Sequence, residues 1–179
     1  MSKIWFYLSS IILIIFIIIC IISTSPKKNL ISINNSSISN TPKELPIARI
    51  IIPRINIDNL IYNTNSKENT VEKNVMLLNG SILPNSNESI IFLAAHSGVG
   101  DIAYFDDLDK LNINDILIFQ YKNYNYYYSI NNKYEIAKDG DIELNKTSSN
   151  QLVLTTCSKT NKKKQLLINS NLIKKEEIT

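Results

Sequence analysis

The sequence predicts a mostly-β domain, a closed or nearly closed mixed barrel with short helices, preceded by an apolar N-terminal segment. Two observations lead to this prediction. Short apolar or alternating runs of strand length recur between Ile47 and Ile168, with turn residues between them, while few stretches have helical spacing. A barrel is the most economical way to combine so many short strands in one domain.

Composition limits the alternatives. The 179 residues suffice for one domain with appendages, which can bury a core without disulfides or metal. The net charge of +3 is too small to indicate a nucleic-acid partner, so none is expected. The two cysteines are Cys20, inside the apolar segment, and Cys157. Because a bridge between them is geometrically implausible, Cys157 is expected to be an unpaired thiol, which is notable in a secreted domain.

Residues 4–22 predict a membrane-spanning helix. This segment is uncharged, apolar apart from Ser9 and Ser10, and about as long as a helix that crosses the hydrocarbon core. The residues Ser23–Ser25 leave a cleavable signal peptide open as the alternative. Flanking charges hardly discriminate orientation, but residues 1–3 are too short to form a domain. We therefore expect them in the cytoplasm, and a single-pass protein of the cell membrane with the bulk of the chain outside.

Residues 23–45 are rich in Ser, Asn, Lys and Pro, a composition that predicts a flexible linker. The folded domain is expected over residues 46–179. A short capped helix is predicted at Ser66–Glu72 and a helix or turn at Asp101–Lys110. The predicted strands are Ile47–Pro53, Ile55–Ile57, Ser89–Ala95, Ile116–Tyr121, Tyr124–Ile130, Tyr134–Ile136, Ile142–Leu144, Leu152–Cys157 and Leu166–Ile168.

Two details of these strands carry further expectations. Pro53 indicates an edge strand or a bulge, because proline cannot donate to the ladder. Ile116–Tyr121 and Tyr124–Ile130 read as a β-hairpin. The tyrosines of its second strand resemble a platform for stacking bases, but a half-exposed hairpin face is the better interpretation, since tyrosine favours strands.

Cys157 and His96 each follow a predicted strand. The run Leu152–Cys157 ends abruptly on the cysteine, and the single histidine follows Ser89–Ala95 and precedes a loop with two glycines. An inert buried thiol and a packed histidine are the ordinary alternatives. If the two side chains meet in the fold, a thiolate could attack a carbonyl to form a thioester while the imidazolium protonates the leaving amine.

Four segments give the sequence a family resemblance. Val153–Cys157 resembles the T-L-x-T-C strand end of sortases, the membrane-anchored transpeptidases of Gram-positive bacteria, and Ala95–Gly98 resembles the segment with the sortase histidine. Ile52–Ile57 is similar to the opening strand of the family, and Phe105–Leu111 to the element after the histidine. The resemblance covers Ile47 to Ile173 in the order and spacing of the family.

The resemblance implies an eight-stranded sortase barrel with Cys157 as nucleophile and His96 as general acid. Thr156 and Ala95, beside them, would contact substrate. The substrates would be surface proteins with an LPxTG-like C-terminal sorting signal, cut after the threonine. A cell-wall precursor or pilin amine would resolve the thioester. A lid segment before Ile47 and a second span are not evident, which makes a pilin-polymerising class less suitable. The compact tract Tyr134–Gln151 leaves little room for the helix of class B enzymes, so we expect a class A, D or E enzyme.

No cofactor or metal is expected. Calcium activates some sortases, but the aspartates here do not form a recognisable ligand cluster and are explained as solvated loop carboxylates. They are Asp106, Asp107, Asp109, Asp139 and Asp141.

The sequence departs from the family at two positions. Val153 replaces a threonine of nearly equal shape. Sortases also carry an arginine at the start of the strand after the cysteine, whereas this chain has no arginine after Cys157. Aligning Leu166–Ile168 with the apolar strand that follows this arginine in the family places Gln165 at the position of the arginine. An amide could still donate a hydrogen bond to an oxyanion. Lys164 supplies a charge if the register slips by one residue, although it would then face the other side.

Three functions therefore remain open at the level of sequence. The favoured one is an active sortase with Gln165 in the role of the arginine. The alternative is a catalytically inactive sortase-like domain that serves as a binding or assembly module on the cell surface. The third is a membrane-tethered β-protein without peptide chemistry.

Overall fold

The computed structural model describes residues 44–84, 88–139 and 150–178. The predicted span 4–22, nearly all of the linker, the predicted strand Ile142–Leu144 and Asp141 lie outside these ranges. None of the helices formed by the described residues has the length and apolarity needed to cross a membrane.

Eight strands form one sheet, which curls into a nearly closed barrel and confirms the predicted fold class. Its strands are β1 (Ala48–Ile52), β2 (Ile57–Ile61), β3 (Met76–Leu77), β4 (Ser89–Ala94), β5 (Ile116–Tyr121), β6 (Tyr124–Ala137), β7 (Asn150–Cys157) and β8 (Lys164–Glu177). Their order across the sheet is β2-β1-β5-β6-β8-β7-β4-β3. Two 3-10 helices, Pro53–Ile55 and Asp106–Lys110, complete the regular structure of the described residues.

The opening hairpin corrects the interpretation of Pro53. β1 pairs with both β2 and β5, so it is not an edge strand. Pro53 instead begins the 3-10 helix between β1 and β2, where its fixed φ is suited to the first helical position. Asn56 ends that helix in the left-handed conformation, with a φ of 54°. The proline therefore marks the end of a strand.

The tyrosine-rich hairpin of β5 and β6 forms as predicted, but β6 is longer. Tyr126 and Tyr128 are buried, whereas Tyr124 and Tyr127 are half-buried, as expected for a hairpin face. The predicted strand Tyr134–Ile136 belongs to β6, because irregularities in the β6–β8 register let one strand continue past Ile130. The predicted strands Tyr124–Ile130 and Tyr134–Ile136 are thus two parts of one strand.

The predicted helix Ser66–Glu72 is wrong. This segment forms separate turns, in which the Ser66 and Asn69 amides donate to carbonyls three residues back. Asn69 is buried, and its side chain bonds both the amide and the carbonyl of Leu77 in β3. Fixing Asn69 to a strand in this way competes with a continuous helix.

The core lies inside the barrel and follows strand alternation. Along β4 every second residue, such as Ile91 and Leu93, points inward and is fully buried, whereas β7 is buried at every position from Gln151 to Thr156. Leu108 of the second 3-10 helix is also fully buried and joins this cluster. β4 and β7 run parallel, with Ala94 opposite Thr155, so both end at the same edge of the sheet. This edge positions the candidate site.

Candidate active site

Cys157 and His96 lie side by side because they follow the last residue pair of two parallel strands. Cys157 is the final residue of β7, two positions after Thr155, and His96 is two positions after Ala94. Both line one cavity of about 300 Å³. Cys157 is exposed and unpaired. The thiol is therefore accessible to a substrate and has the imidazole as neighbour.

Hydrogen bonds fix the two strand ends to one another. The Ala95 amide donates to the Thr155 carbonyl at 3.4 Å, and the buried Thr156 hydroxyl donates to the Ala95 carbonyl at 2.8 Å. One residue further, the Ser97 hydroxyl donates to the Cys157 carbonyl at 2.7 Å. The backbone on both sides of His96 is thus tied to the strand that carries the thiol.

The loop after His96 is held from its other side by Asp106. The Gly98 amide donates to the Asp106 carboxylate at 2.9 Å, with Gly98 at a φ of 124° that side chains disfavour. This bond, more than the nearby Lys159, lowers the pKa of Asp106. Burial opposes the charge of Lys159, but hydrogen bonds to Asp109 and Asp106 outweigh it and raise the Lys159 pKa. Lys159 thereby joins the loop after Cys157 to the 3-10 helix whose Asp106 holds the loop after His96.

Gln165 is the third predicted residue at this cavity. It lies directly opposite Cys157 in the antiparallel β7–β8 pair, so the two side chains share one face of the sheet. The Thr155 hydroxyl donates to its Oε1 at 3.3 Å. That bond uses the amide oxygen, so the Nε2 amide remains available as a donor on a side chain that lines the cavity.

The structure separates Lys164 from these residues. Alternation along β8 turns it to the opposite face, where it is exposed and its ammonium lies 3.8 Å from Glu135. Glu135 also accepts a hydrogen bond from Ser158 at 2.5 Å, the main reason for its lowered pKa. The predicted substrate contacts Thr156 and Ala95 do line the cavity, but both are buried, with little side-chain surface to offer.

A second cavity, of about 260 Å³, opens on the other side of Cys157. Its charged lining is mixed: it includes Asp106, Lys159 and Glu135, which have the partners described above. Lys133 is also committed, since its ammonium bonds the backbone carbonyls of Asp109 and Leu111. Cys157 therefore lines two cavities.

Sequence reasoning missed Lys138, which lines the first cavity together with Cys157, His96 and Gln165. The available signal was the two-residue alternation of β6, since Lys138 lies two residues after Ile136. The sequence alone does not show that Ile136 pairs with Gln165, because this pairing joins distant parts of the chain.

Within residues 44–84, 88–139 and 150–178, no three His, Cys, Asp or Glu side chains are grouped so that they could hold a metal ion. The carboxylates of Asp106, Asp107 and Asp109 lie 3.3, 4.0 and 3.2 Å from the ammonium of Lys159. Lys159, together with Lys110 on Asp107, thus offsets part of their negative charge.

Comparison with known proteins agrees with this geometry. A family model of the sortase domain matches residues 50–173, and no curated protein matches the chain. Sortase C1 of GBS pilus island 1 is 28% identical, with a TM-score of 0.63 over 72% of this chain and 64% of that one. Sortase A from Corynebacterium diphtheriae is 24% identical, with a TM-score of 0.63 over 74% and 62%. Sortase C-1 from Actinomyces oris is 23% identical, with a TM-score of 0.64 over 72% and 74%.

The chain spans less than two thirds of the length of the first two of these structures. The family model, however, matches more than half of the chain, including both strand ends and Gln165. The chain therefore belongs to the sortase family.

Proposed function

We propose that the protein is a cysteine transpeptidase that cleaves a sorting signal through a thioester on Cys157. The observation that carries this proposal is the meeting of Cys157, His96 and Gln165 around one cavity at the end of two parallel strands. A nucleophile, a proton donor and a hydrogen-bond donor are the groups that acyl transfer requires.

The chemistry proceeds in two steps. The Cys157 thiolate attacks the scissile carbonyl, and the oxygen of the tetrahedral intermediate accepts a hydrogen bond from Gln165 Nε2. His96 gives its proton to the leaving amine as the intermediate collapses to a thioester. A second amine then attacks the thioester, passes a proton to His96 and releases Cys157. The backbone bonds around Ala95 and Ser97 preserve the spacing of the two groups.

The proposed substrates are surface proteins with an LPxTG-like signal, and the proposed acceptor is a cell-wall precursor or pilin amine. We further propose that the N-terminal helix anchors the enzyme in the cell membrane with its catalytic domain outside. The similar structures include sortases A and C. The proposed assignment to class A, D or E therefore rests on the sequence.

A second candidate function is an inactive sortase-like binding or assembly module. The specific observation in its favour is Gln165 itself, because a neutral amide lacks the charge and the two-pronged donor geometry of arginine.

Intact mass separates the two candidates. The full-length protein in detergent micelles is incubated with LPxTG-like peptides and no added amine. An active sortase gains the mass of the acyl half of a peptide, and Cys157→Ala does not. Glycine peptides added next should release the adduct as a transfer product. A folded wild-type protein that neither forms an adduct nor cleaves peptide would contradict the proposal and favour the binding module.

The rate should also depend on pH with a bell shape. Only molecules with a Cys157 thiolate and a protonated His96 are competent, and the fraction in that state falls at both extremes. The measurement is the rate of peptide cleavage against pH. A flat profile between about pH 6 and 9 would contradict the assigned roles.

A further inference from the structure

We propose that Lys138 is a catalytic residue that places its ammonium beside the oxyanion and supplies the positive charge that Gln165 lacks. This inference rests on the proposed function, and it assigns the lost task of the family arginine to two side chains on adjacent strands.

The register of the sheet directs Lys138 toward the thiol. Ile136 of β6 lies opposite Gln165 of β8, which in turn lies opposite Cys157 of β7. The Lys138 amide donates to the Lys163 carbonyl at 3.0 Å, so the backbone contact continues one residue beyond β6. Because side chains alternate, Lys138 shares the face of Ile136, Gln165 and Cys157.

The separation suits a lysine. Two strand spacings give about 10 Å between the backbones of β6 and β7, and two residues along the strand add about 7 Å in the other direction. The two components combine to about 12 Å, and the flexible four-carbon stem of a lysine spans about half of that distance, while the Cys157 side chain and its substrate extend from the other end. Consistent with this reach, Lys138 lines the same cavity as Cys157, His96 and Gln165.

Lys133, Lys138 and Lys159 are the described lysines that line the two cavities at Cys157, and of these three only the Lys138 ammonium has no hydrogen bond or ion pair. Lys159 is paired with Asp106 and Asp109, and Lys164 with Glu135. No carboxylate of residues 44–84, 88–139 and 150–178 lies within ion-pair distance of Lys138, whose ammonium is thus free to meet a negative charge that develops in the cavity.

Gln165 and Lys138 would stabilise the oxyanion in different ways. A neutral amide gives one directed hydrogen bond, whereas an ammonium gives a point charge that acts without strict geometry. A peptide bound in the cavity would exclude water and strengthen the attraction between that charge and the oxyanion. The ground-state carbonyl is neutral, so the ammonium favours the transition state selectively.

The test compares two reactions of the same thiol in the full-length protein. Acylation by an LPxTG-like peptide builds an oxyanion, whereas alkylation by iodoacetamide does not. Lys138→Met should slow acylation by about 10- to 100-fold, somewhat less than removal of a directed oxyanion donor. Alkylation should slow far less. Lys138→Arg should recover most of the acylation rate because it keeps the charge.

Two further variants sharpen the test. Lys162→Met removes a charge from the exposed turn between β7 and β8, outside the cavity, and should change acylation less than twofold. Gln165→Arg in the Lys138→Met background should restore acylation, because one arginine provides both the charge and the hydrogen bond.

The outcomes are distinct. Unchanged acylation in Lys138→Met, or an equal loss of acylation and alkylation, would overturn the inference while the proposed function stands. An equal loss of both rates would mean that Lys138 acts on the reactivity of the Cys157 thiolate and not on the oxyanion. No acyl-enzyme from the wild-type protein would overturn the proposed function and this inference with it.

Discussion

The hydroxyl of Thr156 should couple stability to activity. Thr156 is 6% exposed, and its hydroxyl donates at 2.8 Å to the carbonyl of Ala95, the residue before His96. Thr156→Val keeps the shape of the side chain and removes the donor. Losing a buried hydrogen bond and leaving its acceptor without that donor costs about 1 to 3 kcal/mol in the free energy of unfolding.

Thr156→Val should also slow the reaction at Cys157. The bond sets the spacing between the strand that carries the thiol and the strand that carries the imidazole. A displacement of about 1 Å can cost about 100-fold in rate, so a partial loosening should lower kcat/KM by about tenfold. Urea unfolding measures the first effect, and cleavage of a sorting-signal peptide measures the second.

Ser170→Ala is the matched control. The Ser170 hydroxyl of β8 is fully buried and donates to the Leu152 carbonyl of β7 at 2.6 Å, the same kind of hydroxyl-to-carbonyl bond between two neighbouring strands. Its acceptor Leu152 lies five residues before Cys157 along β7, about 17 Å away. This variant should lose comparable stability and keep its kcat/KM. Equal kcat/KM values for Thr156→Val and the wild type would refute the coupling.

Three further predictions concern the surroundings of the site. The pKa of Asp106 is lowered by its bond from Gly98, so the stability that this bond contributes is fully present above the ordinary pKa of an aspartate, about 4. It is lost as the pH falls below that value and through the lowered pKa. Urea unfolding of Asp106→Asn should therefore show a shallower loss of stability below about pH 4. Leu108→Ala should cost about 2 to 5 kcal/mol in unfolding free energy, because Leu108 is fully buried where the second 3-10 helix meets the core. Arg49→Met should cost no more than about 1 kcal/mol, since Arg49 and its partner Asp58 are both about half exposed, and added salt should shrink the difference.

Matched changes test these expectations. Asp107→Asn removes a carboxylate from the same 3-10 helix that accepts no bond from Gly98, and it should retain the wild-type loss at low pH. A parallel loss in Asp106→Asn and wild type would contradict the assigned cause. Ile113→Ala, at a side chain that is 50% exposed, should cost far less than Leu108→Ala. A cost for Arg49→Met well above 1 kcal/mol would show that its pair is not an ordinary surface ion pair.

The sequence was informative where one residue type determines local structure. The abrupt ends of two apolar runs placed Cys157 and His96 at strand ends, and alternation along β8 separated Gln165 from Lys164 correctly. It was misleading at Ser66–Glu72, where local helix signals compete with the bond from Asn69 to a strand. Local propensity does not include such a tertiary contact.

Pairing between distant segments could not be predicted. The continuation of β6 past Ile130 depends on irregularities in its register with β8. The place of Lys138 at the cavity depends on the same register. The continuous apolar runs of β4 and β7 are typical of strands buried on both faces, but they do not identify the partner strand, so the parallel alignment that brings the two strand ends together could not be predicted.

That parallel alignment also determines when the site comes into being. His96 and Cys157 are far apart along the chain, and the contact between their strands must be closed against the entropy of the long segment that joins them. Such non-local pairings form with the bulk of a β fold and not ahead of it. A newly made chain therefore carries the thiol and the imidazole as separate, ordinary side chains. Completion of the sheet is the event that makes them partners, so maturation of this protein and the onset of its reactivity are one step.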